Sequence, residues 1–144
     1  DISFFPGKVV DIIMQTVDET RDNTVLNLNL ALGYSSRQEI INAVKNISKK
    51  VISNQIKLED IDAAMFSSEL DLNIDVGDPD LLIRTGGESR VSDFLLWQIA
   101  YSEIFFSNKY WPDFDKDEYM KAILNFRNTE RRFGKISEQI NKNE

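Results

Sequence analysis

The sequence predicts an α/β fold, a mostly parallel sheet with helices on both faces. Residues 81–83 form a short apolar run without polar alternation, as in a strand that is buried on both faces. Two glycines, Gly86 and Gly87, follow that run. Ser92 then precedes the apolar residues 94–97, a pattern typical of an N-cap and the helix that it begins. Strand, glycine loop and helix N-terminus therefore follow one another at the centre of the chain.

A helix and a strand are predicted at the start of the chain. Pro6 suits a first helical turn, and the helix is expected to run to about Arg21. Residues 25–32 alternate leucines with Asn27, Asn29 and an alanine, as in a strand with one apolar face and one polar face. Two explanations of the polar face stay open: an edge strand, or buried hydrogen bonds from the asparagines near a site.

A second helix is predicted after a loop at 33–35. Ser36 and Glu39 match the capping-box pattern S-x-x-E, in which the two side chains close the first turn. Apolar residues then recur at helical spacing, namely Ile40, Val44, Ile47 and Val51. The helix is expected to end near 53–54. A shorter helix is predicted at 60–68, and residues 71–77 are expected to be irregular or extended.

A helix, a strand, a turn and a last helix are predicted after the glycine loop. The first helix covers 94–102, and residues 103–106 form the strand. Residues 111–114, WPDF, are typical of a turn with aromatic anchors. Asp115 is the predicted N-cap of the last helix, with Glu118 at its third position. That helix is expected to end at 131–134, and the polar residues 135–144 are expected to fray.

The loop after the central strand has the composition of an anion site. Arg84 and Arg90 flank the two glycines, and a guanidinium group binds diphosphate oxygens in pairs. Backbone N–H groups and a helix N-terminus favour the same charge. Glu88 lies inside the loop and would repel an anion unless it orients an arginine. The alternative is a tight turn with surface arginines, and the sequence favours the anion site over that alternative.

Composition narrows the classes of site and partner. The chain has 144 residues and a formal net charge of −7, which disfavours broad nucleic-acid binding. It contains no cysteine and no histidine, so any metal ion must be held by oxygen ligands, as magnesium, calcium and manganese are. No apolar run is long enough to span a bilayer, and no signal-peptide pattern opens the chain.

Three motifs in a fixed order carry a resemblance to a known family. They are RTGGESRVSDFLLWQIAYSEIFF from Arg84, then WPDF, then ERRFG ending at Gly134. From Val25 to Gly134 the sequence resembles the cis-prenyltransferases, most closely their bacterial undecaprenyl diphosphate synthases. The family condenses isopentenyl diphosphate units onto an allylic diphosphate, with magnesium as cofactor. The loop GYSSR at 33–37 keeps only the tyrosine and arginine of the family's Asn-Tyr-Gly-Gly-Arg.

The resemblance implies roles for particular residues. Those that match the isopentenyl diphosphate site all lie in the loop after the central strand: Arg84, Thr85, Gly86, Gly87, Arg90 and Ser92. Glu103 matches the magnesium-binding glutamate, and with Arg84 and Arg90 it makes up the catalytic set. Arg132 and Gly134 match a tail motif that reaches the partner's substrate in a homodimer, so both are expected to bind substrate.

The resemblance also implies what the whole protein does. The family's Asp-Gly-Asn loop is not found, so residues 1–144 are expected to form the C-terminal part of one domain and to be inactive alone. The expected product is a long-chain undecaprenyl-type lipid carrier for cell-wall synthesis, made from a farnesyl-type primer. A cytoplasmic protein is expected, with peripheral membrane contact through its product. The alternative function is a non-catalytic partner subunit that donates its Arg-x-Gly tail to a catalytic chain.

Overall fold

A computed structural model of the chain describes residues 2, 4–71 and 77–130. Within these ranges, helices and strands follow one another in the order α1 (Gly7–Thr20), α2 (Ser36–Ile52), α3 (Ala63–Ser68), β1 (Leu81–Arg84), β2 (Glu103–Phe106) and α4 (Lys116–Asn128). Two short 3-10 helices lie at Leu58–Asp60 and Trp111–Asp113. The predicted stretch 71–77 lies largely outside the described residues.

The described sheet is a parallel pair of strands. Leu81 lies beside Glu103 and Arg84 beside Phe106, so the two strands are in register over their whole length. Both predicted strands are confirmed, and helix α4 packs against β2. An α/β arrangement around a parallel sheet is therefore what this sequence forms. The four residues of β1 are half-buried and not fully enclosed.

The segment between the strands is not the helix that the sequence predicted at 94–102. Ser92, Asp93 and Leu95 have positive φ angles of 49°, 62° and 46°, which a right-handed helix does not allow. Short turns replace the helix, with Phe94 N–H donating to Val91 and Ile99 N–H donating to Leu95. Ser92 therefore precedes no helix, and its predicted role as an N-cap is wrong.

Hydrogen bonds to the start of α2 explain this departure from helix. Ser36 N–H donates to Asp93 O at 3.0 Å, and Leu96 N–H donates to Ser36 Oγ at 2.9 Å. The Asp93 carboxylate accepts from Ser35 Oγ at 2.7 Å and from Arg37 N–H at 3.0 Å. The Ser35 hydroxyl in particular lowers the pKa of Asp93. These contacts join residues that are far apart in sequence, and they replace the local bonds of a helix.

The cap of α2 differs from the predicted capping box at Ser36 in two ways. The N-cap lies one residue earlier, and Glu39 bonds to other partners. Ser35, not Ser36, is the N-cap of α2 and accepts from Gln38 N–H at 3.3 Å. Glu39 does not turn back to the cap. Its buried carboxylate accepts from Tyr34 Oη at 2.5 Å, from Asp71 N–H at 2.7 Å and from Gln98 Nε2 at 3.1 Å.

The remaining helices follow their predictions more closely. Helix α1 begins after Pro6 and ends at Thr20, as predicted, but none of its side chains is buried. Helix α3 begins later than predicted, because Asp62 is its N-cap and Asp60 belongs to a 3-10 helix. Asp115 caps α4 by accepting from Glu118 N–H at 2.9 Å, as predicted. That helix ends at Asn128, before the predicted end at 131–134.

The predicted strand at 25–32 is wrong for this structure. No strand pairing involves these residues in the described parts of the chain, and the stretch is exposed. Leu28 and Leu30 are 74% and 68% exposed, and Asn27 and Asn29 are exposed too. Neither the edge strand nor the buried asparagines is present. Alternation suits a strand, but a strand forms only where a neighbour accepts its backbone hydrogen bonds.

The buried apolar core is small. Its members come from α2, α4 and the segments after α3 and β1: Ala43, Ile47, Leu70, Ile99 and Ala122. Trp97 adds a contact with α3, because its Nε1 donates to Ser67 Oγ at 2.9 Å and its ring lies 4.5 Å from that of Phe66. Across the described ranges, no helix combines the length and the apolar content that a membrane crossing requires.

We expect Glu39→Ala to destabilise the fold by about 3 kcal/mol, because three donors, in one buried and two part-buried hydrogen bonds, would lose their acceptor. Chemical denaturation measures the change in the free energy of unfolding. Glu59→Ala is the matched control, since Glu59 is an exposed acid, and it should change stability by no more than about 0.5 kcal/mol. Equal effects of the two substitutions would contradict the structural role of Glu39.

Candidate functional site

The loop after β1 has a backbone shape that requires glycine. Gly86 and Gly87 have φ angles of 90° and 74°, in the left-handed region that disfavours other residues. A Cβ atom on Gly86 would lie 4.0 Å from the Tyr110 ring, and one on Gly87 would lie 3.7 Å from Asn108 Oδ1. Both are ordinary contact distances, so backbone conformation and not space explains the two glycines.

The amides of the two glycines are bonded to the loop that follows β2. Gly86 N–H donates to Lys109 O at 2.8 Å, and Gly87 N–H donates to Ser107 O at 2.9 Å. Both glycine amides are therefore bonded to the 107–109 loop. In this structure the two amides do not point to a free anion site, and any binding of substrate by Gly86 and Gly87 stays a prediction.

Arg84 lies at the mouth of an open pocket of about 330 Å³ at the end of β1. The lining residues are Leu82, Ile83, Arg84, Thr85, Val91 and Phe94. Arg84 Nε is buried, and none of the described residues accepts a hydrogen bond from it. A buried donor without an acceptor is rare and points to a missing partner, for which a ligand oxygen has the right chemistry.

The far side of the loop holds Arg90 in an ion pair. Arg90 Nη1 lies 2.5 Å from Glu88 Oε2, and both side chains are substantially exposed. Glu88 therefore pairs with an arginine, which is the arrangement in which an acid in this loop is compatible with an anion site. Ser92 is exposed at the end of the loop. The structure brings Arg84 and Thr85 together at the pocket, whereas Arg90 and Ser92 lie on the exposed side.

Tyr34 supports one wall of the pocket. Its ring meets that of Phe94 edge-on, with centroids 5.8 Å apart and planes at 78°. Burial, followed by the hydrogen bond to Glu39, raises the pKa of Tyr34 to about 12. Within residues 33–37, Tyr34 and Arg37 match the family pattern. The loop between α1 and α2 therefore reaches the candidate site through the aromatic contact of Tyr34.

Glu103 does not lie beside Arg84. It pairs with Leu81 at the start of the strands, and Arg84 is three residues further on, about 10 Å at the usual rise per strand residue. Its half-buried carboxylate offers one oxygen ligand of the kind that magnesium prefers. Across residues 2, 4–71 and 77–130, no group of three or more potential metal ligands comes together. Arg132 and Gly134 lie outside the described residues.

Two residues near the loop carried no site prediction. Ser107 is 1% exposed and Glu118 is 9% exposed, and Ser107 Oγ donates to Glu118 Oε1 at 2.8 Å. Lys121 first, and then Ser107, lowers the pKa of Glu118. The sequence signal at Glu118 was only its spacing from Asp115. Ser107 carried no signal, because its contacts depend on how β2 meets α4.

Comparison with known proteins decides the family. The family model described as "Putative undecaprenyl diphosphate synthase" matches residues 1–134, which include the arginine–glycine loop and Glu103. The chain belongs to the cis-prenyltransferase family. The sequence-based assignment to this family is thereby confirmed.

Individual relatives agree with this assignment. The isoprenyl transferase of Oceanobacillus iheyensis is 44% identical over 136 residues, which are 94% of this chain and 54% of that protein. The isoprenyl transferase of Porphyromonas gingivalis is 46% identical over 140 residues, 97% of this chain and 55% of that protein. The chain therefore spans about half the length of the curated relatives that it matches.

Solved structures share the fold. Lavandulyl diphosphate synthase from Lavandula x intermedia, in complex with dimethylallyl diphosphate, superposes with a TM-score of 0.87 at 33% identity. The match covers 94% of this chain and 58% of that one. A probable undecaprenyl diphosphate synthase from Campylobacter jejuni gives a TM-score of 0.78 at 38% identity, over 94% of this chain and 60% of that one.

The Tyr34 contact predicts a late tyrosine titration. The folded pKa of about 12 lies above the ordinary value of 10.0, so Tyr34 stabilises the fold fully below pH 10. That contribution is lost as the pH rises from 10 through 12, because the unfolded chain ionises first. Absorbance titration of tyrosinate should show a step near pH 12 that Tyr34→Phe removes. A titration without that step would contradict the burial of Tyr34, the larger cause of its raised pKa, together with its bond to Glu39.

Proposed function

We propose that the full natural protein is a prenyltransferase that condenses isopentenyl diphosphate with an allylic diphosphate and forms cis double bonds. One observation carries the proposal: Arg84 Nε is buried at the pocket and has no acceptor among the described residues. A guanidinium in that state is suited to a diphosphate oxygen. The finer proposal is a farnesyl-type primer and an undecaprenyl-type product, used as a lipid carrier for cell-wall synthesis.

The relatives support the substrate class. Their names include isoprenyl transferases, and the lavandulyl diphosphate synthase was solved with dimethylallyl diphosphate. The pocket of this chain joins Arg84 and Thr85 to the apolar side chains of Leu82, Ile83 and Phe94. Charged and apolar surfaces that adjoin in this way suit a ligand with a diphosphate group at one end and a short hydrocarbon at the other.

Four residues of the loop have a proposed part in the reaction. Arg84 binds the diphosphate of isopentenyl diphosphate, Thr85 donates its hydroxyl, and Arg90 and Ser92 contact the same group from the exposed side. The allylic carbon–oxygen bond breaks, the departing diphosphate takes the electron pair, and the isopentenyl double bond attacks that carbon. A proton is then lost. The protein contributes by positioning the two substrates and by neutralising their charge.

Magnesium is the proposed cofactor, with Glu103 as one protein ligand. When bound, the ion neutralises diphosphate charge. Magnesium commonly takes one or two carboxylates and completes its shell with phosphate oxygens and water, so the one carboxylate at Glu103 fits its needs. Because the described residues hold no larger ligand group, the other ligands are expected from the substrate, from water or from other parts of the whole protein.

A homodimer is the proposed assembly, in which Arg132 and Gly134 reach the substrate of the partner. The alternative, a non-catalytic subunit that only donates this tail, is disfavoured by the arginine loop. An accessory chain would need neither the buried Arg84 Nε that has no acceptor among the described residues nor a loop shaped by two left-handed glycines.

We expect Arg84→Lys to weaken isopentenyl diphosphate binding about tenfold, although the charge is kept, because lysine cannot reproduce a two-pronged contact. Isothermal titration of the full natural polypeptide with isopentenyl diphosphate measures the affinity. Arg21→Lys is the matched control, since Arg21 is exposed just after helix α1, and its ion pair among the described residues is with Asp18.

The same proteins should be assayed for elongation with labelled isopentenyl diphosphate, an allylic diphosphate and magnesium. Extended prenyl product from the wild type, reduced in Arg84→Lys and normal in Arg21→Lys, is the expected result. The proposed function would be overturned by a wild type that makes no product and binds inorganic phosphate as tightly as isopentenyl diphosphate.

We expect Glu103→Gln to raise the magnesium concentration required for half-maximal activity about tenfold or more, because a neutral amide is a poorer ligand for a hard cation. Its thermal unfolding should stay near that of the wild type. Glu59→Gln removes an exposed carboxylate elsewhere and serves as the control. An unchanged magnesium requirement would remove Glu103 from the metal site.

A further inference from the structure

The loop after β2 is bonded to Arg84 and to the two glycines that follow it. Ser107 N–H donates to Arg84 O at 2.8 Å, which continues the strand pairing by one step. Ser107 O accepts from Gly87 N–H at 2.9 Å, and Lys109 O accepts from Gly86 N–H at 2.8 Å. Three backbone bonds therefore fix the direction in which the chain leaves β1.

Ser107 is the residue that ties this loop to the rest of the fold. Its side chain is almost completely buried. The hydroxyl donates to Glu118 Oε1 at 2.8 Å and accepts from Lys109 N–H at 3.2 Å. The same residue that bonds Arg84 and Gly87 through its backbone is thus held by Glu118 through its side chain.

Glu118 is itself held at both carboxylate oxygens. Oε1 accepts from Ser107, and Oε2 accepts from Lys121 Nζ at 2.8 Å. The start of α4 also holds Lys109 of the same loop, because Asp115 Oδ2 lies 2.7 Å from Lys109 Nζ. The first turn of α4 therefore anchors the 107–109 loop at two points.

Helix capping does not account for the position of the Glu118 side chain. In a capping box, the acid at the third position turns back to the N-cap amide. Here Asp115 caps the helix by itself through Glu118 N–H, and the carboxylate of Glu118 points to Ser107 instead. Burying a carboxylate is costly unless it is well bonded. Capping of α4 does not explain why the Glu118 carboxylate is directed toward Ser107.

We propose that Glu118 is a positioning residue for the arginine–glycine loop, acting through Ser107 to hold Arg84 and Gly87 in place. The proposal rests on the proposed function, in which Arg84 binds a diphosphate. None of the described residues holds Arg84 at Nε, so the three backbone bonds at 84–87 contribute to the placement of its side chain. Displacements of about 1 Å at a binding group are enough to weaken binding and catalysis strongly.

The test uses Glu118→Ala, Glu118→Gln and Ser107→Ala in the full natural polypeptide. Glu118→Ala and Ser107→Ala remove the same hydrogen bond from opposite sides, so either can stand in if the other fails to fold. Glu118→Gln keeps an oxygen acceptor for Ser107 and should restore wild-type behaviour. Asp117→Ala is the control, because it removes a neighbouring exposed charge from the same turn of α4.

Two measurements are made on each protein. Amide hydrogen exchange at Gly86 and Gly87 reports the loop directly, and titration with isopentenyl diphosphate reports its consequence. We expect exchange to accelerate and affinity to fall about tenfold in Glu118→Ala and Ser107→Ala, with Glu118→Gln and Asp117→Ala close to the wild type. In turnover assays, the KM for isopentenyl diphosphate should rise while the KM for the allylic substrate stays the same.

The outcomes separate this inference from the function on which it rests. Unchanged exchange at both glycines in Glu118→Ala, or faster exchange with unchanged isopentenyl diphosphate affinity, would overturn the positioning role alone. The positioning role would also be overturned if affinity fell equally for both substrates and only in step with a general fall in unfolding temperature. A wild type without affinity for isopentenyl diphosphate would overturn the proposed function, whatever the exchange data show.

Discussion

The parallel pairing of β1 with β2 is the constraint on which the candidate site depends. It places Arg84 beside Phe106, and the hydrogen bond from Ser107 to Arg84 O continues the pairing beyond the last strand residue. The glycine loop then bonds back to the 107–109 loop, so the two segments that leave the sheet stabilise each other. In parallel strands the carboxyl ends meet at one edge, and the pocket lies at that edge. A change in this pairing would therefore move the arginine, the glycines and the pocket together.

A second set of bonds fixes the other wall of the pocket. The segment from Asp93 to Gln98 is held by the start of α2 through Ser35, Ser36 and Glu39. Glu39 also binds the Tyr34 hydroxyl, and the Tyr34 ring contacts Phe94, which lines the pocket. The cationic side of the site thus depends on the sheet and α4, and the wall formed by Phe94 depends on α2. Two independent anchors of this kind explain how a chain with few buried apolar residues defines a site.

The charge of the site differs from that of the chain. The sequence carries 24 acidic and 17 basic residues, yet arginines flank the loop at the pocket and Glu88 is paired with one of them. Short-range contacts outweigh a screened net charge at such a site, so an acidic protein can still bind a diphosphate. The family assignment and the buried Arg84 Nε, which has no acceptor among the described residues, point in the same direction. Exposed leucines at 25–32 show that the described residues leave apolar surface uncovered.

The sequence by itself determined the features that depend on near neighbours, and the tertiary structure decided the rest. Helices α1 and α2, both strands and the Asp115 cap could be predicted, because spacing and capping are local. The arginine–glycine loop could be located for the same reason. The irregular segment after Ser92, the roles of Ser35 and Glu39, and the Ser107–Glu118 bond could not, since each joins residues distant in sequence. At 92–98, hydrogen bonds to α2 outweighed local helix propensity. At 25–32 a strand-like pattern found no partner strand among the described residues, and without backbone pairing a strand does not form.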